Sequence, residues 1–214
     1  MPNHVVTHLF IEGTPEQVEQ VKAFVRCDTE KERLMDFNKI IPTPEELNIE
    51  SGSRGETGMA YLLGNKAALD RYGQNNEERE KAIRLGAKYL VNQALYGATT
   101  WYDWHNHHWG TKWNAYETED LGNGIKFETA WSFPRPVMIA LSRHFPDIDF
   151  HFVYADEDAS YNTGEGYLRN GEFTQQYYPE GGSKDAWTLY LLTHEWASDE
   201  LELQEDGTYR WKED

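Results

Sequence analysis

The sequence predicts an α+β fold: a largely antiparallel sheet with helices packed on one face. Three observations predict it. Beyond residue 99 the apolar patterns run strand, strand, helix, strand, strand, strand, helix, so strands follow strands more often than the crossovers of a parallel sheet allow. Two Asn-Gly pairs, Asn123-Gly124 and Asn170-Gly171, stand between strand-like runs, where a hairpin turn needs residues tolerant of positive φ. Aromatic residues make up 14% of the chain, and their large buried areas offset a hydrophobic fraction of only 39%. At 214 residues the chain suits one large domain or two small ones. The patterns divide it into an N-terminal α/β part over 1–98 and a C-terminal sheet part over 99–214.

Each element has its own justification. His4 to Glu12 reads as a strand; Val5, Leu9 and Ile11 are apolar on one side and Val6 and Phe10 on the other, so cover is expected on both faces. Thr14 caps the following helix, Pro15 takes its first position and Glu16 suits the N-terminal dipole. Val18, Val21 and Val25 give that helix its packing face through about Arg26. Leu34 to Ile41 alternates as a second strand, ended by Pro42 and Pro44. NIESGSRGETG, from Asn48 to Gly58, is Gly/Ser-rich and reads as a loop. A helix from about Glu78 to Tyr96 packs through Ala82, Leu85, Ala87, Tyr89, Leu90 and Leu95.

Lys112 to Thr118 and Ile125 to Phe133 form a hairpin joined at Asp120-Leu121-Gly122-Asn123-Gly124, with Asn123-Gly124 as its turn signal. Pro134 and Pro136 open a helix with Val137, Met138, Leu141 and Phe145 inside. Ile148 to Tyr154 is a strand, and Gly166 to Arg169 pairs with Glu172 to Tyr178 around Asn170-Gly171. Ser183 to Trp196 is the last amphipathic helix, and Gly207 to Lys212 a final edge strand.

Charge and cysteine count limit function. The formal net charge is −17, from 37 acidic against 20 basic residues, which argues against direct nucleic-acid or anionic-membrane binding. Cys27 is the single cysteine, so no intrachain disulfide or multi-cysteine metal site can form, and a reducing cytosol fits. The start MPNHVVTHLFIEG lacks the pattern of a signal peptide, and no run has the length of a membrane span. A cytoplasmic protein is expected.

The densest chemistry lies in WYDWHNHHWGTKWNAYE, Trp101 to Glu117, with four of the eight tryptophans and three of the eight histidines. Asp103, His105, His107 and His108 are the donors a metal would use, but neighbours in HxHH cannot all face one ion on a regular helix or strand. No metal or other cofactor is therefore expected. A helical turn would align Trp101 with Trp104, and Trp104 with His108. The rings either lock this stretch to the core or line a groove with Asp103, Lys112 and Asn114 as polar handles. The binding candidates are Trp101, Tyr102, Asp103, Trp104, Trp109, Lys112, Trp113 and Asn114. Proton-transfer pairs such as Asp103 with His105 are common in so charged a chain. No nucleophile elbow, phosphate-binding glycine loop or zincin motif accompanies them, so catalysis is not expected.

The motif WYDW, a short spacer, then WGTKWNA resembles the signature of the YubB ferredoxin-like family, proteins of phages, plasmids and other bacterial mobile elements. Here Trp101, Tyr102, Asp103, Trp104, Trp109, Gly110, Thr111, Lys112, Trp113, Asn114 and Ala115 carry it. The likeness continues to about Tyr154, and FNKIIP, Phe37 to Pro42, looks like the family's N-terminal part. The resemblance implies a ferredoxin-like fold, which is a matter of topology and needs no iron–sulfur cluster, and a mobile-element origin. It implies no particular activity.

Two acidic regions complete the picture. Asp199, Glu200, Glu202, Glu205, Asp206, Glu213 and Asp214 outnumber Arg210 and Lys212, and Asp156, Glu157 and Asp158 form a second cluster. They read as a solvated face or as a carboxylate array that imitates nucleic-acid phosphates. The expectation is a non-catalytic, protein-binding molecule whose partner is a host or phage protein, such as a nucleic-acid-binding one, and which interferes with host defence or nucleic-acid machinery. The alternative is a small-ligand-binding or metal-dependent enzyme centred on 101–117.

Overall fold

β1 (His4–Glu12) occupies the middle of a six-stranded antiparallel sheet, in the order β2-β3-β1-β4-β5-β6. The structure is a computed structural model describing residues 2–212; Glu213 and Asp214 of the acidic tail lie outside the described residues. β1 leads to α1 (Pro15–Val25), then to the hairpin of β2 (Tyr116–Asp120) and β3 (Gly124–Ala130), α5 (Arg135–His144) and β4 (Asp149–Asp156). This βαββαβ succession, with the fourth strand beside the first, is the ferredoxin-like topology. β5 (Gly164–Arg169) and β6 (Glu172–Tyr177) extend the sheet beyond β4.

Register explains why β1 is apolar on both sides. Val5, Leu9 and Ile11 share a face with Phe127, Phe152 and Phe150, their cross-strand partners or next neighbours. Phe37 and Trp109 pack edge-on in that layer, and Phe133 stacks on Phe152 and Tyr154. α1 and α5 meet through Phe24, which stacks on His144 and meets Phe145 edge to face. The opposite face carries Val6, His8, Val153 and Ala155, and α6 (Lys184–Thr193) covers it. There Ala155, Trp187, Tyr190, Ala197 and Leu201 form a second core. Helices on one face thus describes the ferredoxin-like core, and α6 adds a layer on the other. β7 (Leu201–Leu203) and β8 (Tyr209–Trp211) pair as a separate two-stranded sheet; the expected final edge strand joins this ribbon rather than the main sheet.

The chain divides into two compact units: Met1–Ile41 with Trp109–Asp214, and Pro42–His108. This partition differs from a division at residue 98, because β1 is a central strand of the later sheet and ties the front end to it. The second unit holds α2 (Ser53–Leu62), α3 (Asn76–Tyr96) and α4 (Trp101–His108). α2 and α3 cross where a Cβ on Gly58 would stand 1.7 Å from the Ala82 carbonyl oxygen, and one on Gly86 2.2 Å from the Gly58 carbonyl carbon. Only glycines permit that approach. α3 therefore packs through Ala82, Gly86, Tyr89 and Asn92, while Leu95, expected inside, is exposed.

Two expectations are corrected here. Leu34 to Ile41 is not a strand. Asp36 accepts from the Asn38 amide at 3.0 Å and begins a 3-10 turn over Phe37–Lys39, while the Phe37 amide donates to the Asn114 side chain at 2.8 Å rather than to a strand. The segment expected as a loop up to Gly58 contains most of α2's first two turns, whose glycines serve close packing. The first hairpin turns at Leu121–Asn123, inside the expected Asp120–Gly124 connection, with Gly122 at φ 80° and Gly124 already in β3. The second turns at Asn170-Gly171 as expected, both at positive φ.

Candidate functional site

The Trp/His stretch spans the boundary between the units. Trp101 to His108 closes the second unit, and Trp109 opens the return to the first.

In the second unit the stretch folds as α4. Thr100 precedes it, and its hydroxyl accepts from the Tyr102 amide at 3.3 Å. The i,i+4 spacing stacks Trp104 on His108, centroids 4.5 Å apart, and sets Trp101 against His105 at 5.4 Å. Trp104 is buried. His105 bonds Thr43 Oγ1 at 3.0 Å, and His107 meets His108 edge-on at 4.9 Å. Asp103 accepts from Thr99 Oγ1 at 2.8 Å, and Asn106 donates to the Tyr102 carbonyl at 2.7 Å. The histidines are thus spread around a helix. Among the described residues no group of three His, Cys, Asp or Glu is gathered to hold a metal. Burial, then the neighbouring His107, lowers the His108 pKa.

In the first unit the same stretch becomes a bracket. Trp109 is 1% exposed, and its Nε1 donates to the Ile41 carbonyl at 2.9 Å. Thr111, buried, donates to the Ala130 carbonyl at 2.7 Å. Asn114 donates to Asp36 at 2.7 Å and accepts from the amides of Phe37 and Ala115. Asn114 therefore uses its side-chain amide and its carbonyl oxygen to fasten the 3-10 turn to the entrance of β2. Trp109, Thr111 and Asn114 build the fold; of the candidates in this half, Trp113 is exposed and Lys112 half-buried.

Lys112 Nζ lies 4.6 Å from the Trp113 ring centroid and 5.1 Å from that of Trp131. Trp113 and Trp131 are 36% and 40% exposed. Trp131 also holds φ 72°, rare for a bulky side chain, with its amide bound to the Asn3 carbonyl at 2.8 Å. Beside Trp113, Tyr116 shares its hydroxyl with His4 Nδ1 at 2.8 Å, and Glu128 lies 3.4 Å from the same nitrogen. Burial, then Glu128 and Glu157, raise the Tyr116 pKa. Burial likewise leads the rise at Glu128. Sequence reasoning missed Trp131, His4 and Glu128. Strand pairing brings them to the site, and only the aromatic letter of Trp131 marks any of them locally.

The acidic clusters are more structural than their letters suggest. Asp156 is buried and accepts from Asn3, Asn162 and the Asp158 amide. Glu202 pairs with Arg210 at 2.7 Å, and Asp206 binds the amide and hydroxyl of Thr208. Glu157 and Asp158 are exposed and lack an ion-pair partner among the described residues. At the C-cap of α6, burial lowers His194 to about 4, and burial also leads the lowering at His8.

Residues 108–203 match a family model described as a ferredoxin-like domain in Api92-like protein. No curated protein matches the sequence. The crystal structure of a protein api92 from Yersinia pseudotuberculosis is similar to the chain at a TM-score of 0.40 and 14% identity, over 85% of this chain and 99% of that one. The family match begins at the last residue of the inserted unit and takes in the hairpin, α5, β4 and the strands beyond. Over residues 108–203 the chain is thus similar to the ferredoxin-like domain of Api92-like proteins.

Proposed function

We propose that the chain is a non-catalytic binding protein of the bacterial cytosol, encoded by a mobile element, that engages a basic face of a host or phage protein. The exposed rings of Trp113 and Trp131, with the half-buried Lys112 between them, carry this reading. Rings left at the surface gain most from burial against a partner, and tryptophan recurs in binding hot spots. The net charge of −17 gives the partner its sign, and a protein that itself binds nucleic acid fits. The resemblance of WYDW…WGTKWNA to YubB-like proteins supports the mobile-element origin, and interference with host defence or nucleic-acid machinery follows from origin and charge together.

The test is affinity capture from bacterial lysate by the intact protein and by Trp113→Ala/Trp131→Ala. A partner that is basic, released by salt and lost with the double variant is expected. Capture indifferent to salt and to the two rings defeats the reading. A second reading, a small-ligand site, rests on the Glu128–His4–Tyr116 contacts beside Trp113. A ligand co-purifying with the intact protein and lost on His4→Gln would favour it.

A further inference from the structure

A cleft of about 490 Å³ lies where β8 and α6 meet the loop after β4, within the sheet-bearing unit. Its walls are aromatic: Tyr161, Trp187, Tyr209 and Trp211. Glu157 and Asp158 complete it with two exposed carboxylates.

The walls are fixed from behind. Trp187 is rooted in the second core, edge-on to Tyr190, and Tyr209 tilts against it at 5.9 Å. Trp211 stacks on Trp196 at 6.1 Å. Tyr161 lies over Gly181, where a Cβ would come 2.5 Å from its ring. Arg210 also lines the cleft, but its guanidinium donates to Glu202 through Nε and Nη2, a pair that strand alternation sets on the face opposite the Tyr209 and Trp211 side chains. No described cation pairs with Glu157 or Asp158.

Aromatic faces attract a cation through their quadrupoles, and carboxylates at the rim supply the countercharge. A neutral apolar guest would leave those two charges unanswered, and an anion would be repelled. We infer that this cleft receives the guanidinium of an arginine side chain presented by a basic segment of a protein partner. Planar guanidinium both stacks on rings and forks onto carboxylates, which a compact ammonium does less well. This rests on the proposed reading that the partner is a basic protein, and the residues that line the cleft are other than Trp113 and Trp131.

The test titrates the full chain with a short capped peptide rich in arginine and with its citrulline counterpart, equal in length but uncharged, following tryptophan fluorescence. The arginine peptide is expected to bind at least about tenfold more tightly, and Glu157→Gln/Asp158→Asn to weaken it by a similar factor. Tyr161→Ala should cost about fivefold, the scale of one cation–aromatic contact. Asp199→Asn/Glu205→Gln removes the same formal charge elsewhere and should change affinity by less than about twofold if the effect is local. Equal binding of the citrulline peptide, or equal losses in both charge-removing pairs, overturns the cleft. In the latter case attraction to a basic partner survives as a property of the whole acidic surface. A cleft that binds the arginine peptide while lysate capture shows no salt dependence overturns the partner reading instead.

Discussion

The two halves of the Trp/His stretch look alike as letters and behave differently as structure. From Trp101 to His108 the residues form a helix whose Trp104 is inside and whose three histidines fan around the axis. From Trp109 to Asn114 three of the five side chains, those of Trp109, Thr111 and Asn114, are committed to internal bonds. The first half tolerates change because a helix needs only its buried stripe. The second does not, because irregular backbone must satisfy its polar groups through particular side chains.

Tryptophan deletion probes the difference most strongly. Trp109→Ala removes a fully buried ring and its bond to Ile41 and should cost about 3–5 kcal/mol in urea unfolding. A loss below about 1 kcal/mol would show that the bracket is dispensable. The two asparagines give a closer contrast. Asn114→Ala strands the Phe37 and Ala115 amides and the Asp36 carboxylate, an expected loss of about 1–3 kcal/mol. Asn106→Ala, in the helical half, should stay within about 0.5 kcal/mol. Equal effects would erase the contrast between the halves.

Histidine sharpens it further. His194 titrates near 4 in the folded protein, below its ordinary value of 6.5. Over that interval the unfolded chain binds more protons, so stability rises with pH from about 4 to about 6.5 and is lost as the pH falls through the same window. His194→Gln should flatten this dependence of the urea midpoint; an unchanged slope would rule out the buried imidazole as its source. Last and smallest, Trp113→Ala should change stability by less than about 0.5 kcal/mol, since its ring is 36% exposed; a larger loss would make it a core residue.

Much of this was legible. The capping box of α1, with Thr14 and Gln17, follows from local letters, as does the Asn170-Gly171 turn. The helix of 76–96 and the resemblance to a ferredoxin-like pattern were equally plain. What escaped reading depends on distant partners. Met35 and Phe37 are fully buried, so LMDFNKII alternates like a strand; Asn114, seventy-eight residues beyond Asp36, decides that it turns instead. The glycines of α2 resemble a loop until Ala82 and Gly86 are seen against them. His4, Glu128 and Trp131 enter the site only through strand register, which no local window contains.

The bond from Trp109 Nε1 to the Ile41 carbonyl has a further meaning for ancestry and engineering. It brings together the two points where residues 42–108 leave and rejoin the sheet-bearing unit. A chain already tied at its splice points needs only a short bridge to close without the intervening module. Excising 42–108 and substituting a brief glycine–serine link would therefore yield a minimal domain, and the same doorway could receive a different insert. Trp109 is in this sense the hinge-pin of a cassette, and relatives could exchange what lies between its two ends while keeping the sheet.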